Sequence, residues 1–439
     1  MKILLIGNNS WDDTNSLGNT LTNFFSGWDG NTLSYLYSRK TPPNNGLCSH
    51  YFSIPEIEII KNYFMPERIG YEYFYYESNK MHYGKKAIRF EKSVVKIKKI
   101  FNLGIINLMI DWAWLSKKWY NKKYINFVKN ENPDIVFSFA TNFVRLYMIL
   151  NSIKWINNAK IVLFFADDVT VKTKKGLFHN IHWKLGQKYL QKCIDLSSCY
   201  YGITPTLCTE YQQKFKKPFK LLRKGCDLSL TQVKDSVGDL IRIVYAGNLY
   251  YGRDESLIRL IHTIDEINHY DKKVFALEIY SNSIVPDMLR NCITKSSSTE
   301  IYGVKPYSEI MKILAESDLV LHIESFKEEA IKYTRLSFST KITDCMQSGS
   351  CLLAIGPGNV ASMEEINQIP GAISITDIDD LQQTLEDVAK NPSQLIQRAN
   401  AIQKHALENF SVKMVRESLQ SDFQNLIGKD KDTLKERTY

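Results

Sequence analysis

Ser339, Thr340 and Lys341, followed by Asp344 and Gly349, are the residues whose types and spacing best suit chemistry on an anion. The pattern predicts a helix over 340–348, then a glycine stop and a buried strand at Cys351–Ile355. A helix start carries unpaired backbone N–H groups and partial positive charge, so two hydroxyls and an ammonium there gather donors around a phosphate. Asp344 lies three residues beyond Lys341 on the same helix face and suits a ribose diol. The same residues also serve as an ordinary N-cap, two solvated charges and a C-cap.

Other groups point the same way. The run Val244–Arg253 reads as a strand, a turn holding Gly247 and Asn248, and a basic residue that opens a helix. Ligands of open α/β sheets bind at the carboxyl ends of strands, so Gly247 admits close backbone approach and Arg253 offers a bidentate grip on a diphosphate. A tight turn with a surface arginine fits the residues too. Gly303 and Val304 follow a strand where a nucleobase would be read by backbone groups, and Glu324 ends the next strand as a ligand for a sugar hydroxyl or as a solvated carboxylate. The histidines show no ligand spacing except His179 and His182, which read as surface residues.

These residues need a scaffold of strands with crossover helices. Lys2–Ile6, Thr32–Tyr37, Asp134–Phe139, Lys160–Phe165 and Ser198–Ile203 read as strands of a first sheet, with residues 50–130 hard to parse. After a polar stretch near residue 230 the rhythm restarts with Ile241–Tyr245, Phe275–Tyr280, Thr299–Tyr302, Leu319–His322 and Cys351–Ile355. Helices are expected near 254–269, 307–316, 340–348 and 378–390. The expected organisation is an α/β chain with domains at 1–228 and 238–415 and a helical tail, 416–439, packing back on the first.

The composition agrees with a folded protein: 439 residues, 44% hydrophobic and 23% charged. Eight scattered cysteines without a C-x-x-C pair suit a reducing cytoplasm. The apolar run Ile3–Ile6 is too short for a signal peptide, and no run of 18 apolar residues occurs, so the chain reads as soluble or peripheral. The net charge of +9 is concentrated in segment 92–129, where lysines interleave with Trp112, Trp114, Trp119 and Tyr124. Such a segment is expected to lie on an anionic membrane surface, or to be a helix buried against its own domain with lysines in water. Nucleic acid is a weaker match, since no recognisable binding module accompanies the charge.

Taken together the motifs resemble the GT-B glycosyltransferases, and more closely the retaining, glycosyltransferase family 4-like kind that build bacterial surface polysaccharides. The resemblance covers both halves and is specific mainly over residues 241–357. It implies two doubly wound Rossmann-like domains facing across a cleft, with Gly247 and Arg253 on the donor diphosphate and the helix start at Ser339, Thr340 and Lys341 beside it. Asp344 would hold the ribose. It also implies that Gly7 and Gly18 lie near the donor phosphate, and that Asp167 stands where many members have a histidine beside the transferred sugar; an N-cap or surface acid fits Asp167 as well. One departure is clear: the family's pair of glutamates is not intact, because Leu336 and Asp344 stand in its places.

By this resemblance the chain would move a sugar from a UDP or GDP donor to a lipid-linked or glycan acceptor in capsule, O-antigen or exopolysaccharide synthesis. Catalysis would rest on Asp167, Arg253 and Lys341, with no cofactor and no metal, and the protein would sit in the cytoplasm on the inner face of the membrane. Two other readings stay open. One is a nicotinamide-dependent dehydrogenase, against which Gly7-Asn8-Asn9-Ser10 lacks the G-x-G-x-x-G fingerprint. The other is a catalytically silent binding or scaffold protein of the same fold.

Overall fold

The structure is a computed structural model and describes residues 1–13, 15–29, 32–75, 104–172, 174–228, 231–270 and 274–436. Residues 92–103 of the basic aromatic segment therefore lie outside the described residues. The chain divides into two compact units: Met1–Leu222 together with the chain from Arg416, and Arg223–Val415.

The first unit is built on a sheet ordered β4-β3-β2-β1-β5-β6-β7-β8. Its strands are β1 (Ile3–Ile6), β2 (Leu33–Tyr37), β3 (His50–Ser53), β4 (Tyr71–Phe74), β5 (Ile135–Phe139), β6 (Lys160–Phe165), β7 (Cys199–Gly202) and β8 (Phe219–Leu221). All neighbours run parallel except β3 and β4. β1, β2 and β5 are buried along their whole length, which is why they read as unbroken apolar runs. The long helix Val412–Glu436 returns the chain to this unit. Its Phe423 packs 6.3 Å from Phe137 and 5.9 Å from Trp28, and Arg416 Nε donates to the Asn23 carbonyl at 2.8 Å.

The second unit carries a sheet ordered β11-β10-β9-β12-β13-β14. The strands are β9 (Ile241–Ala246), β10 (Phe275–Tyr280), β11 (Thr299–Tyr302), β12 (Leu319–Ile323), β13 (Cys351–Ile355) and β14 (Ile373–Ile375), all parallel. This is the doubly wound order in which the chain reverses direction across the sheet between its first and fourth strands, here β9 and β12. In the first unit the corresponding reversal falls between β1 and β5. Both points open a crevice at the carboxyl ends of the strands, and both are lined by the residues described below.

Candidate active site

The loop between β9 and its following helix, Arg253–Tyr270, is tightly built. Tyr245 is buried and its hydroxyl donates to the Asn248 carbonyl at 2.5 Å, filling the space beside Gly247 so that a Cβ there would lie 2.4 Å from the phenol. Tyr251 and Gly252 then take left-handed conformations, with φ of 62° and 74°. For a tyrosine that backbone is strained, and the strain turns the chain so that Arg253 opens the helix pointing back over the strand ends. Arg253 Nε donates to the Ile323 carbonyl at 3.1 Å, Nη1 to Asn248 Oδ1 at 2.7 Å, and Nη2 to both carboxylate oxygens of Glu324 at 2.9 and 3.0 Å.

Glu324 is 3% exposed at the end of β12, on the other side of the reversal point. Burial pushes its carboxyl up and Arg253 pulls it back. On the guanidinium, burial works against the charge and Glu324, with Tyr245 and Tyr251, more than offsets it, so Arg253 ends above its ordinary value. His322, two residues earlier and 5% exposed, has its Nε2 3.5 Å from Glu324 without a hydrogen bond. Burial, then the charges of Arg253 and Lys341, press it down to about 3, so the imidazole is neutral.

Lys341 completes the cluster from the first position of the helix Lys341–Gln347. Among the described residues its ammonium has no ion pair and no hydrogen bond. Burial first, and then the positive charge of Arg253, push it down to about 8, against weaker opposite pulls from Asp344 and Glu324. A cation held close to a second cation with no direct acceptor is an arrangement that an anionic ligand would relieve. Thr340 stands at the N-cap without a side-chain cap bond, so its hydroxyl is not spent in capping.

One turn along, Asp344 is engaged rather than solvated. Lys224, 4% exposed at the side chain, approaches its Oδ1 at 2.5 Å, and the Tyr307 hydroxyl donates to the same oxygen at 2.7 Å. Both contacts fall on Oδ1, and among the described residues Oδ2 makes no hydrogen bond.

Several expectations need correcting. Glu324 is not an open ligand for a sugar hydroxyl, because its carboxylate is buried against Arg253, and Arg253 has most of its five N–H donors committed within the protein. In this cluster Lys341 is the cation that has no direct partner among the described residues. His182 is not a plain surface residue: its Nδ1 lies 2.6 Å from Asp111 Oδ2. Gly303 and Val304 follow β11 as expected, with Val304 74% exposed.

In the first unit Gly7 and Gly18 have packing reasons of their own. A Cβ at Gly7 would lie 1.9 Å from the Tyr35 hydroxyl, and one at Gly18 2.1 Å from the Asp12 carbonyl oxygen. Asp167 is exposed just past β6, whereas Asp168 is tied into its turn by Thr170 and by the Tyr211 hydroxyl at 2.9 Å. Lys224, Tyr307 and the Asp111–His182 pair were not singled out from the sequence. Asp377-Ile378-Asp379 after β14 is a further acidic motif, but Asp377 accepts from the Asp379 backbone amide at 3.1 Å and so acts as a local cap.

Two doubly wound parallel α/β units, each with polar side chains gathered where its sheet reverses, make the GT-B architecture, and the chain has that fold. No protein-family model and no curated protein matches the sequence. Solved structures resemble it over nearly their whole length. Anabaena HepE in complex with UDP superposes with a TM-score of 0.63 at 12% identity, covering 97% of this chain and 100% of the other. Sucrose-phosphate synthase from Thermosynechococcus elongatus gives 0.62 at 9%, covering 98% and 99%. WaaG, a glycosyltransferase involved in lipopolysaccharide biosynthesis, gives 0.56 at 11%, covering 95% and 98%.

Proposed function

We propose that this protein is a glycosyltransferase that takes a sugar from a nucleotide diphosphate donor, UDP or GDP, and transfers it to a lipid-linked or glycan acceptor in surface polysaccharide synthesis. The observation that carries the proposal is Lys341: an ammonium without a direct partner among the described residues, beside Arg253, at the strand ends where a doubly wound sheet reverses. The fold shared with UDP-bound HepE supports it.

In this reading Lys341 and the remaining donors of Arg253 meet the charge that grows on the diphosphate as the bond to the anomeric carbon breaks, and no metal ion is assigned that task. The hydroxyls of Ser339 and Thr340 stand beside the phosphates, Asn248 and Gly247 shape the loop over them, and Asp344 Oδ2 takes the ribose. Gly303 and Val304 border the base, and Asp167 contacts the transferred sugar. The acceptor hydroxyl oxygen takes the place of the diphosphate at the same carbon with retention of configuration, the diphosphate leaving with the electron pair of the broken bond and taking up the proton the hydroxyl gives up.

The test is a thermal-shift screen of UDP- and GDP-sugars followed by turnover assays. Arg253→Ala and Lys341→Ala are each expected to lower donor turnover at least tenfold, because a charge-assisted contact contributes roughly 1.5–3 kcal/mol. Turnover within about twofold of wild type in both would remove the phosphate roles. The anomeric configuration of the product, read by NMR, tests retention.

Membrane association is part of the same proposal. The helix Gly104–Leu115 exposes Ile105 (42%), Met109 (52%) and Trp112 (56%) on one stripe, and Phe64 and Leu177 are exposed in the same unit. No helix among the described residues is long and apolar enough to cross a membrane. An apolar stripe with lysines nearby in the sequence supports peripheral docking on an anionic surface, at the inner face of the cell membrane.

A further inference from the structure

The helix Gly104–Leu115 turns Ile105, Met109 and Trp112 outward, while Asn107 and Asp111, one turn apart, line with Ile110 and Trp114 a cavity of about 270 Å³ within the first unit. The cavity lies at the reversal point of that sheet, where Asn142 Nδ2 donates to Asn8 Oδ1 at 3.1 Å between the ends of β1 and β5. Polar groups converging on a cavity at such a point mark it as a candidate binding site.

The cavity has two chemically distinct ends. At one, Arg39, Arg145 and Glu56 line the cavity together, with Glu56 Oε1 3.5 Å from Arg145 Nη1. Arg145 is 5% exposed and donates through the same Nη1 to Ser38; among the described residues its other nitrogens make no hydrogen bond, and the Arg39 side chain makes none at all. Burial, and behind it the nearby Arg39, press Arg145 down to about 10. At the other end Asp111 engages His182. Trp114 supplies an independent observation: it is fully buried, lines the cavity, and its indole N–H has no acceptor. An indole N–H only donates, so this group too calls for an electron-rich ligand. The helix Phe143–Asn157, which carries Arg145, begins here at Asn142 without a side-chain cap, adding its positive end.

We infer that this cavity binds an anionic group of the acceptor, a phosphate ester or a sugar carboxylate, held by Arg39, Arg145 and the Trp114 indole N–H, with the His182–Asp111 pair reaching a hydroxyl of the same ligand. The inference rests on the glycosyltransferase reading for the word acceptor, while the anion site itself does not.

The test uses the full chain saturated with UDP, so that the cations of the second unit are occupied. Glycerol 1-phosphate, glucuronate and neutral glucose are titrated by calorimetry and by melting temperature. Wild type is expected to bind one or both anions, and Arg39→Ala and Trp114→Phe to weaken that binding, the former by tenfold or more. Arg39→Lys should recover part of it, and the UDP affinity of Arg39→Ala should be unchanged. Preference for glycerol 1-phosphate assigns a lipid headgroup phosphate, and preference for glucuronate an acidic sugar. Absence of response to either anion, or equal binding by wild type and Arg39→Ala, overturns the inference. A parallel titration of wild type separates the two readings: failure to bind UDP sinks the donor assignment, while Arg39-dependent anion binding measured in the absence of UDP leaves the anion site standing.

Discussion

Arg253 and Glu324 face each other across the reversal point of the second sheet, with Nη2 of the arginine 2.9 and 3.0 Å from the two carboxylate oxygens. The pair ties the start of a helix to the end of β12, and each partner makes the burial of the other tolerable. Removing one partner of a buried pair typically costs about 3–5 kcal/mol, because the remaining charge is stranded. Glu324→Ala and Arg253→Ala should therefore each lower stability by roughly that amount in urea unfolding, and the double variant should lose less than the sum. Strict additivity would show that the two are not coupled.

Lys341 couples stability to pH, and with it donor binding if the ammonium meets the phosphates as proposed. In the unfolded chain a lysine holds its proton to its ordinary value of 10.5, whereas here it releases it near 8. Between those values the unfolded chain binds the extra proton, so stability rises with pH through this window, and the cost of the charge is fully present below about 8. Lys341→Met should accordingly raise the melting temperature at pH 7 by a few degrees and by less at pH 10. UDP affinity should run the other way, falling in wild type as pH climbs through about 8 and staying weak and flat in the variant. A pH-independent UDP affinity in wild type would show that the ammonium does not meet the phosphates.

Asp344 holds Lys224 and Tyr307 through one oxygen and keeps the other uncommitted. Asp344→Asn keeps the shape but removes the charge that pairs with the buried Lys224, so both stability and nucleotide affinity should fall, the latter about tenfold. Tyr307→Phe deletes one donor to the charged oxygen and should cost about 1.5–3 kcal/mol of stability with nucleotide affinity nearly unchanged. Isothermal titration with UDP beside urea unfolding checks both; an affinity loss in Tyr307→Phe as large as in Asp344→Asn would move the ligand contact to the phenol.

Much of this was legible in the sequence where burial is two-sided. β6 and β13 fall where their apolar runs predict, and β10 and the largely unburied β11 also fall at Phe275–Tyr280 and Thr299–Tyr302 as read. β3, β4, β8 and β14 were not anticipated, since they are only three or four residues long and β4 and β8 expose part of their length, which leaves little periodicity to read. At the site, Arg253 and Lys341 could be named because strand, turn and helix signals surround them. The Glu324 partnership could not, because it joins residues 71 apart, and neither could the Asp111–His182 pair at the same separation. Lys224 sits in what reads as a linker, and only the folded chain brings it to Asp344.

The outward stripe of Ile105, Met109 and Trp112 invites a final test. A soluble helix normally turns such residues inward, yet here Trp114, on another face of the same helix, is the buried one and Trp112 is 56% exposed. Trp112 lies 5.0 Å from the Tyr63 ring in a stacked geometry, and Lys118 sits over that same ring at 5.3 Å, so aromatic surface and positive charge are interleaved. Both features favour an interface between acyl chains and anionic headgroups. Ile105→Ser, Met109→Ser and Trp112→Ser combined remove apolar surface from water-exposed positions and should leave folding stability within about 1 kcal/mol. Binding to vesicles rich in anionic lipid, measured by co-sedimentation, should fall at least tenfold, and binding of the parent protein should weaken as salt is raised. Vesicle binding that is equal in the triple variant and the parent would show that this stripe faces something other than lipid.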